Sequence, residues 1–153
     1  MFAESTDEVS RKPIDYFSWG HIGMGVVVFL LWSLINLMPS LALGSIVFPV
    51  FFWFSIVLTI VTAIVWEIIE NTLFVHIGIK FEDRRDSFIN AIADIVFVII
   101  GGLIMWGFKV LIVNIFYQVD GILIFYIIGG LSLLTCLIGF LIGRAMTLKK
   151  SQG

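Results

Sequence analysis

The chain of 153 residues contains 60% hydrophobic and only 13% charged residues, and its formal net charge is -2. A mean hydropathy of +1.11 excludes an ordinary water-soluble domain, because such a domain must cover its surface with polar side chains. The small net charge, without a continuous basic patch, argues against a nucleic-acid-binding protein. We therefore expect residues 1–153 to form a single membrane domain.

Four predominantly apolar runs are long enough to cross a bilayer as helices, since a hydrocarbon core of about 30 Å needs about 20 residues. In chain order they cover Ser18–Met38, Ile46–Phe74, Ser87–Phe108 and Ile122–Gly143. We expect Pro39 to close the first span, whereas Pro49 is tolerated in the opening turn of the second. Continuous rather than alternating hydrophobicity predicts an all-α bundle of four transmembrane helices.

The basic residues predict the orientation of these spans. Eight of the nine lie in three segments that four spans place on one side of the membrane: Arg11, Lys12, Lys80, Arg84, Arg85, Arg144, Lys149 and Lys150. Only Lys109 lies on the other side. Because lysine and arginine are retained in short cytoplasmic loops, this distribution predicts that both termini are cytoplasmic in a multi-pass protein of the cell membrane.

Polar residues interrupt the ends of two spans. Glu67, Glu70 and Asn71 stand in WEIIEN, where spacings of three and four residues bring them together on one helix. His21 stands in the first turn of the first span, in WGHIGMG, whose glycines would let a neighbouring backbone or a ligand come close. These side chains can therefore act as one group if the two spans are adjacent.

The third span opens with a polar stripe. Asp86, Asn90 and Asp94 recur every fourth residue in DSFINAIAD, so they lie along one helix face, which we expect to contact protein rather than lipid. With a helical rise of about 1.5 Å per residue, the polar groups of all three spans fall in the cytoplasmic half of the membrane. The sequence therefore predicts one polar site in the cytoplasmic leaflet.

A charged side chain in the hydrocarbon region costs about 2.5 kcal/mol or more, so buried carboxylates need partners or protons. Our first hypothesis is a divalent-metal-dependent membrane enzyme that acts on a lipid or polyprenyl-phosphate headgroup. The candidate metal ligands are Glu67, Glu70, Asp86, Asp94 and His21. The candidate catalytic residues are Glu67, Glu70 and Asp94, and the candidate substrate-binding residues are Asn71, Asn90, Arg84 and Arg85. Oxygen ligands favour Mg or Mn, whereas ligation by His21 would favour Zn or Fe.

Two further hypotheses use the same residues differently. In a proton-coupled transporter or channel subunit the carboxylates would form a proton relay. In a non-catalytic subunit or assembly factor the polar side chains would only pair with one another. The GxxxG pair Gly139 and Gly143 would then pack within the bundle, or mediate a homo-oligomer or a contact with another membrane protein. Membrane lipids are the expected surroundings in every case.

Three segments resemble an uncharacterised family of small bacterial membrane proteins, known as domain of unknown function 2585. The resemblance rests on Asp15, His21 and Gly25 in DYFSWGHIGMG, on WEIIENTLF and on DSFINAIAD. It covers roughly the first two thirds of the chain and includes the polar residues selected by membrane depth. The resemblance implies no activity, so any mechanism has to come from the site itself.

The uneven distribution of basic residues predicts where the termini lie. Reporter domains fused to residue 1 and to residue 153 should both read as cytoplasmic, because the basic segments beside them are retained on that side. A periplasmic or extracellular reading from either fusion would contradict this orientation and would move the polar site to the other leaflet.

Overall fold

The computed structural model describes residues 3, 5–43, 53–80, 85–114 and 119–151, without the side chains at 40–41, 113–114 and 119–120. Its four long helices are α1 (Phe17–Leu43), α2 (Phe54–Ile69), α3 (Phe88–Lys109) and α4 (Val119–Ser151). Two of them continue into π-helical turns, α2 at Glu70–Phe74 and α3 at Val110–Asn114. All four are long and apolar enough to span a membrane. The predicted all-α bundle of four transmembrane helices is therefore confirmed, and a multi-pass membrane protein is indicated.

Three helices continue beyond their expected C-terminal ends, and the third does so through its π-helical turn to Asn114. The first helix continues through Pro39 to Leu43, because a proline removes only one backbone donor and helix-forming residues follow it. The fourth helix continues to Ser151, beyond the expected end at Gly143, through a segment rich in good helix formers. The expected start of the second span, residues 46–52, lies outside the described residues.

Helix α1 is the centre of the bundle. It contacts α2, α3 and α4, and it contacts α3 most extensively. Helices α1 and α3 run parallel, since Gly25 lies beside Val98 and, further toward the N-termini, His21 lies beside Asp94. Side chains on the facing sides of α1 and α3 therefore pair in the same order along both helices.

Glycines allow the backbones of α1 and α3 to touch. A Cβ atom at Gly25 would collide with the carbonyl oxygen of Val98, and a Cβ atom at Gly101 would collide with that of Ile22. Such close approach of small residues is a usual way to hold membrane helices together, because lipid provides no hydrophobic driving force between them. The contact fixes the register of the two helices that carry His21 and Asp94.

Helix α4 packs against α1 through its own GxxxG pair. A Cβ atom at Gly139 would lie 2.6 Å from the Trp19 indole, and one at Gly143 would lie 3.0 Å from Cβ of Tyr16. In this structure both glycines therefore face α1 of the same chain.

Three segments meet at one end of the bundle, which we call the N-terminal face. The backbone N–H of Ser87, just before α3, donates to the carbonyl of Ser10 at 2.9 Å, and its hydroxyl donates to the carbonyl of Arg11 at 2.8 Å. At the end of α4 the Ser151 hydroxyl accepts the N–H of Thr6 at 3.0 Å. The N-terminal segment thus joins the start of α3 to the end of α4.

Asp15 caps the start of α1. Its carboxylate accepts the N–H of Phe17 at 2.8 Å and that of Ser10 at 3.1 Å, while the Ser18 hydroxyl accepts the N–H of Asp15 at 3.1 Å. Burial raises the pKa of the Asp15 carboxyl, and these backbone donors act against that rise. The cap fixes where α1 begins, one turn before His21.

The contact between α1 and α3 predicts that Gly25→Ala will destabilise the protein. The added methyl group meets backbone rather than a movable side chain, so we expect a loss of at least about 1–3 kcal/mol in unfolding free energy, measured in detergent. Gly107→Ala is the matched control, because no described atom outside its own stretch of helix lies within 4 Å of a Cβ atom there. Equal stability of the two variants would contradict the backbone contact.

Candidate functional site

His21 projects from α1 toward carboxylates of two neighbouring helices. Its Nδ1 lies 3.0 Å from the carbonyl oxygen of Phe17 and 3.2 Å from Oδ1 of Asp94. Both are acceptors, so Nδ1 carries the ring hydrogen. The other nitrogen, Nε2, lies 3.9 Å from Oε2 of Glu70, which is too far for a hydrogen bond. In the neutral ring the lone pair of Nε2 therefore faces the carboxylates of α2.

The end of α2 supplies two of these carboxylates. Glu67 is buried, and its Oε1 accepts the side-chain amide of Asn71 at 2.5 Å. One turn later Oε2 of Glu70 accepts the indole N–H of Trp66 at 2.9 Å. The chain widens into the π-helical turn at Glu70, a feature that is frequent at functional sites. This turn orients Glu70 and Asn71 at the N-terminal face.

Gly78 turns the chain back toward the site after α2. It has a φ of 68°, which side chains disfavour, and the N–H of Ile79 donates to the carbonyl of Phe74 at 3.1 Å. This reversal brings Lys80 back over the end of α2, where its side chain is only 4% exposed. The turn therefore directs a lysine into a largely acidic site.

Lys80 joins the loop to α2. Its ammonium donates to a carboxylate oxygen of Asp86 and, at 2.9 Å, to the amide oxygen of Asn71, and it lies 3.5 Å from Oε1 of Glu70. The same Asn71 oxygen accepts the N–H of Asp86 at 2.8 Å. Asn71 thus connects the loop to Glu67, because its amide oxygen accepts from the loop and its amide nitrogen donates to Glu67.

The start of α3 supplies the third side of the site. Ser87 caps the helix by accepting the N–H of Asn90 at 3.2 Å, so α3 begins at the polar stripe. The Asn90 amide donates to the carboxylate of Asp94, and both residues are 3% exposed. The remaining Asn90 oxygen is buried and has no hydrogen-bond partner among the described residues. It is an unused acceptor beside the carboxylates.

Among the residues that the structure describes, two groups of three side chains have ligand atoms within 4.8 Å of one another. One consists of His21, Glu67 and Glu70, and the other of Glu67, Asp86 and Asp94. Glu67 belongs to both. We call the four carboxylates of these groups the acidic cluster; its members are Glu67, Glu70, Asp86 and Asp94.

The charges of the acidic cluster are not balanced by the described cations beside it. Four carboxylates meet the ammonium of Lys80 and the imidazole of His21, so two negative charges are in excess even when the imidazole is protonated. Repulsion between like charges is strong where water is scarce, so a further cation or protons must offset this excess. The cluster is therefore suited to hold a positive ion.

Two lateral grooves reach the cluster from the surface of the bundle. The α1–α2 groove has a volume of about 560 Å³ and includes His21, Glu70 and Trp66 in its lining. The α2–α3 groove has a volume of about 420 Å³ and includes Glu67 and Arg85. Both grooves have mainly apolar walls formed by membrane-spanning helices, so a lipid chain can lie in them with its polar end at the cluster.

The structure brings together most of the residues that the sequence selected. They are His21, Glu67, Glu70, Asn71, Asp86, Asn90 and Asp94. Arg85 is exposed beside the α2–α3 groove, and Arg84 lies outside the described residues. Lys80 was missed, because in the sequence it is only one of several basic residues in the segment between two spans. The glycine two residues before it was the available signal, since a glycine after a helix commonly turns the chain back.

Sequence comparison places these residues in a known but uncharacterised family. A family model described as a protein of unknown function, DUF2585, matches residues 2–145. The chain belongs to the DUF2585 family. The resemblance expected from three segments is thus confirmed, and the match extends into α4. No curated protein and no solved structure matches this DUF2585 protein.

The contacts of Lys80 predict a strong effect of Lys80→Met in the DUF2585 protein. Removing the ammonium leaves Asp86, whose side chain is 3% exposed, without its cation, so we expect a loss of about 3–5 kcal/mol in unfolding free energy. Adding Asp86→Asn should restore part of this loss in a double-mutant cycle.

Lys12→Met is the matched control. Lys12 pairs with Glu8 at 2.7 Å, but both side chains are 36% exposed, so its removal should cost less than about 1 kcal/mol. If both lysine variants were equally stable, the buried pair would contribute no more than a surface pair.

Proposed function

We propose that this protein is a metal-dependent membrane enzyme whose divalent ion is bound by His21, Glu67 and Glu70. The observation that carries the proposal is the orientation of His21. Its Nδ1 donates toward Asp94 and the Phe17 carbonyl, while Nε2 faces Glu70 across 3.9 Å. Metal-binding histidines commonly donate one ring N–H to a carboxylate or a carbonyl, which fixes the ring so that the other nitrogen can bind the ion.

The ligand set supports a transition metal. One ring nitrogen and two carboxylate oxygens lie within 4.8 Å of one another, which is a compact arrangement of three ligands. An imidazole with carboxylates suits Zn, Fe or Mn, whereas the all-carboxylate group of Glu67, Asp86 and Asp94 would suit Mg or Mn. Because the Lys80 ammonium donates to Asp86 but lies 3.5 Å from Oε1 of Glu70, we place the ion at the group that contains His21.

The surrounding residues support the site without binding the ion. Asp94 orients the imidazole, and Asn90 in turn donates to Asp94. Asn71 holds Glu67 through a hydrogen bond of 2.5 Å, and the Trp66 indole holds Glu70. A carboxylate with one oxygen fixed in this way still has lone pairs for a metal. The role of Asp94 is thus positioning in this proposal, in place of the metal ligation expected from the sequence.

The proposed substrate is a membrane lipid or polyprenyl phosphate. The α1–α2 groove provides apolar walls within the spanning helices and ends at His21 and Glu70, so a chain in the groove would present its headgroup to the ion. A phosphate would be repelled by the bare acidic cluster, and a divalent ion offsets that repulsion. Such an ion can also polarise a phosphoryl oxygen or lower the pKa of a bound water.

The packing of the helices argues against a proton relay across the bundle. Beyond the cluster, the backbones of α1 and α3 touch at Gly25 and Gly101, and no water fits between atoms in contact. The next hydroxyls on α2, those of Thr62 and Thr59, donate to backbone carbonyls of their own helix at 2.7 Å. The subunit hypothesis stays a prediction; its docking pair, Gly139 and Gly143, packs against α1.

The proposal predicts stoichiometric metal binding. Protein stripped with a chelator should bind one Zn or Mn ion per chain by calorimetry and should gain stability as RT ln(1 + [L]/Kd). Glu67→Gln and Glu70→Gln should abolish binding, because each removes a ligand. Asp94→Asn should weaken binding about 10–100-fold, as expected for a residue that orients a ligand.

Glu8→Gln is the control for this experiment, since Glu8 is half-exposed and remote from the cluster, and it should bind metal normally. If the protein binds no metal and the Glu67→Gln variant is more stable than wild type, the proposal of a metal is wrong. A bound proton then offsets the charge of the cluster.

The enzymatic step is tested in proteoliposomes containing phospholipid and polyprenyl phosphate. Conversion should require the metal and Glu67, and metal binding without any conversion would refute only the enzymatic step.

A further inference from the structure

A buried lysine lies at the end of the bundle opposite the acidic cluster. Lys109 is the last residue of α3 and is 5% exposed, near Ile112 where the apolar span ends. A lysine at such a position usually extends its ammonium to the lipid headgroups. Here the Nζ atom is buried and has no hydrogen-bond partner among the described residues. The Lys109 ammonium is therefore buried with no described side chain to neutralise its charge.

Three other side chains in the same half of the bundle each have a buried polar atom without a described partner. They are the hydroxyls of Ser33 and Ser55 and the Asn36 amide nitrogen. Serine and threonine hydroxyls in membrane helices commonly donate to the carbonyl four residues earlier, as that of Thr59 does at 2.7 Å. Ser33 does not, although it is 0% exposed, and the residue four before Ser55 lies outside the described part of the chain. Each can still donate a hydrogen bond.

The helix register brings these groups to one level. Along the parallel pair α1 and α3, His21 lies beside Asp94 and Gly25 beside Val98. Asn36 on α1 and Lys109 on α3 each lie three helical turns beyond the pair Gly25 and Val98. The two residues are therefore at the same level. On α2 the side chain of Thr59 approaches Gly102, and Ser55 lies one turn further toward the same end. Donors from three helices thus lie near the level of Lys109 along the bundle.

We propose that Ser33, Asn36, Ser55 and Lys109 form a binding site for a phosphate oxyanion. An ammonium, an amide N–H group and two hydroxyls are the donors that an anion needs, and burial strengthens each of their hydrogen bonds. Every aspartate and glutamate whose side chain the structure describes lies at the N-terminal face or in the acidic cluster, so none of them neutralises Lys109. The site is independent of the proposed metal centre.

Phosphate is the oxyanion that the location favours. Lys109 lies within one turn of the end of its span, at the depth where phospholipid phosphates are found. A lipid could enter from the side and a free phosphate from the aqueous phase, and both present the same oxygens. Asp120 offers a carboxylate at the start of α4, but its side chain is outside the described part of the chain, so the experiment must also test it.

Thermal denaturation in a neutral detergent can test the site with three additives. These are phosphatidylglycerol, a diacylglycerol with the same chains, and inorganic phosphate. We expect phosphatidylglycerol to stabilise wild type more than the diacylglycerol does, because only the former carries the oxyanion. Lys109→Met should weaken this response at least about tenfold in apparent affinity, the loss expected for a charged hydrogen bond.

Asn36→Leu is a second variant that keeps the lysine, and it should weaken the same response. Lys149→Met, at an exposed lysine of the N-terminal face, should leave it unchanged. A response to inorganic phosphate equal to that for phosphatidylglycerol would support the site and identify a soluble anion as its ligand. No response to either would overturn the proposal. Destabilisation by Asp120→Asn equal to that by Lys109→Met would also overturn it and make Asp120 the partner.

Discussion

The backbone contact between α1 and α3 determines the level of every polar group in the bundle. With Gly25 against Val98 and Gly101 against Ile22, the two helices cannot slide along each other without a collision. The same register sets His21 beside Asp94 at one end and places Asn36 level with Lys109 at the other. Helices α2 and α4 then pack against this central pair, so the geometry of both sites depends on it.

The described charges are separated along the membrane axis. Carboxylates collect at the N-terminal face, where Lys80 offsets only part of their charge, whereas the opposite half contains Lys109 and other buried donors. Neither group can be hydrated by bulk water as a surface residue would be, so each requires a ligand, a proton or another part of the chain. A lipid environment disfavours such residues, so a role in binding explains their presence better than chance does.

The sequence predicted the bundle and most of the site because both follow from local patterns. Long apolar runs predicted the helices, and the i, i+4 spacing of Asn90 and Asp94 predicted an inward polar stripe. Three features depend on contacts between distant segments and could not be read in this way. The turn at Gly78 returns Lys80 to the cluster, Gly139 packs against α1, and Lys109 is buried although its position suggested an interfacial charge.

The parallel arrangement of α1 and α3 also constrains how the protein is made. During synthesis α1 enters the membrane first, with an imidazole whose partner carboxylate lies on a helix not yet translated. Insertion of α2 adds Glu67 and Glu70, but Asp94 and the glycine contact become available only with α3. The earliest intermediate that can contain the complete acidic cluster is therefore a chain of three inserted helices, and until then membrane insertion must tolerate its unpaired polar groups.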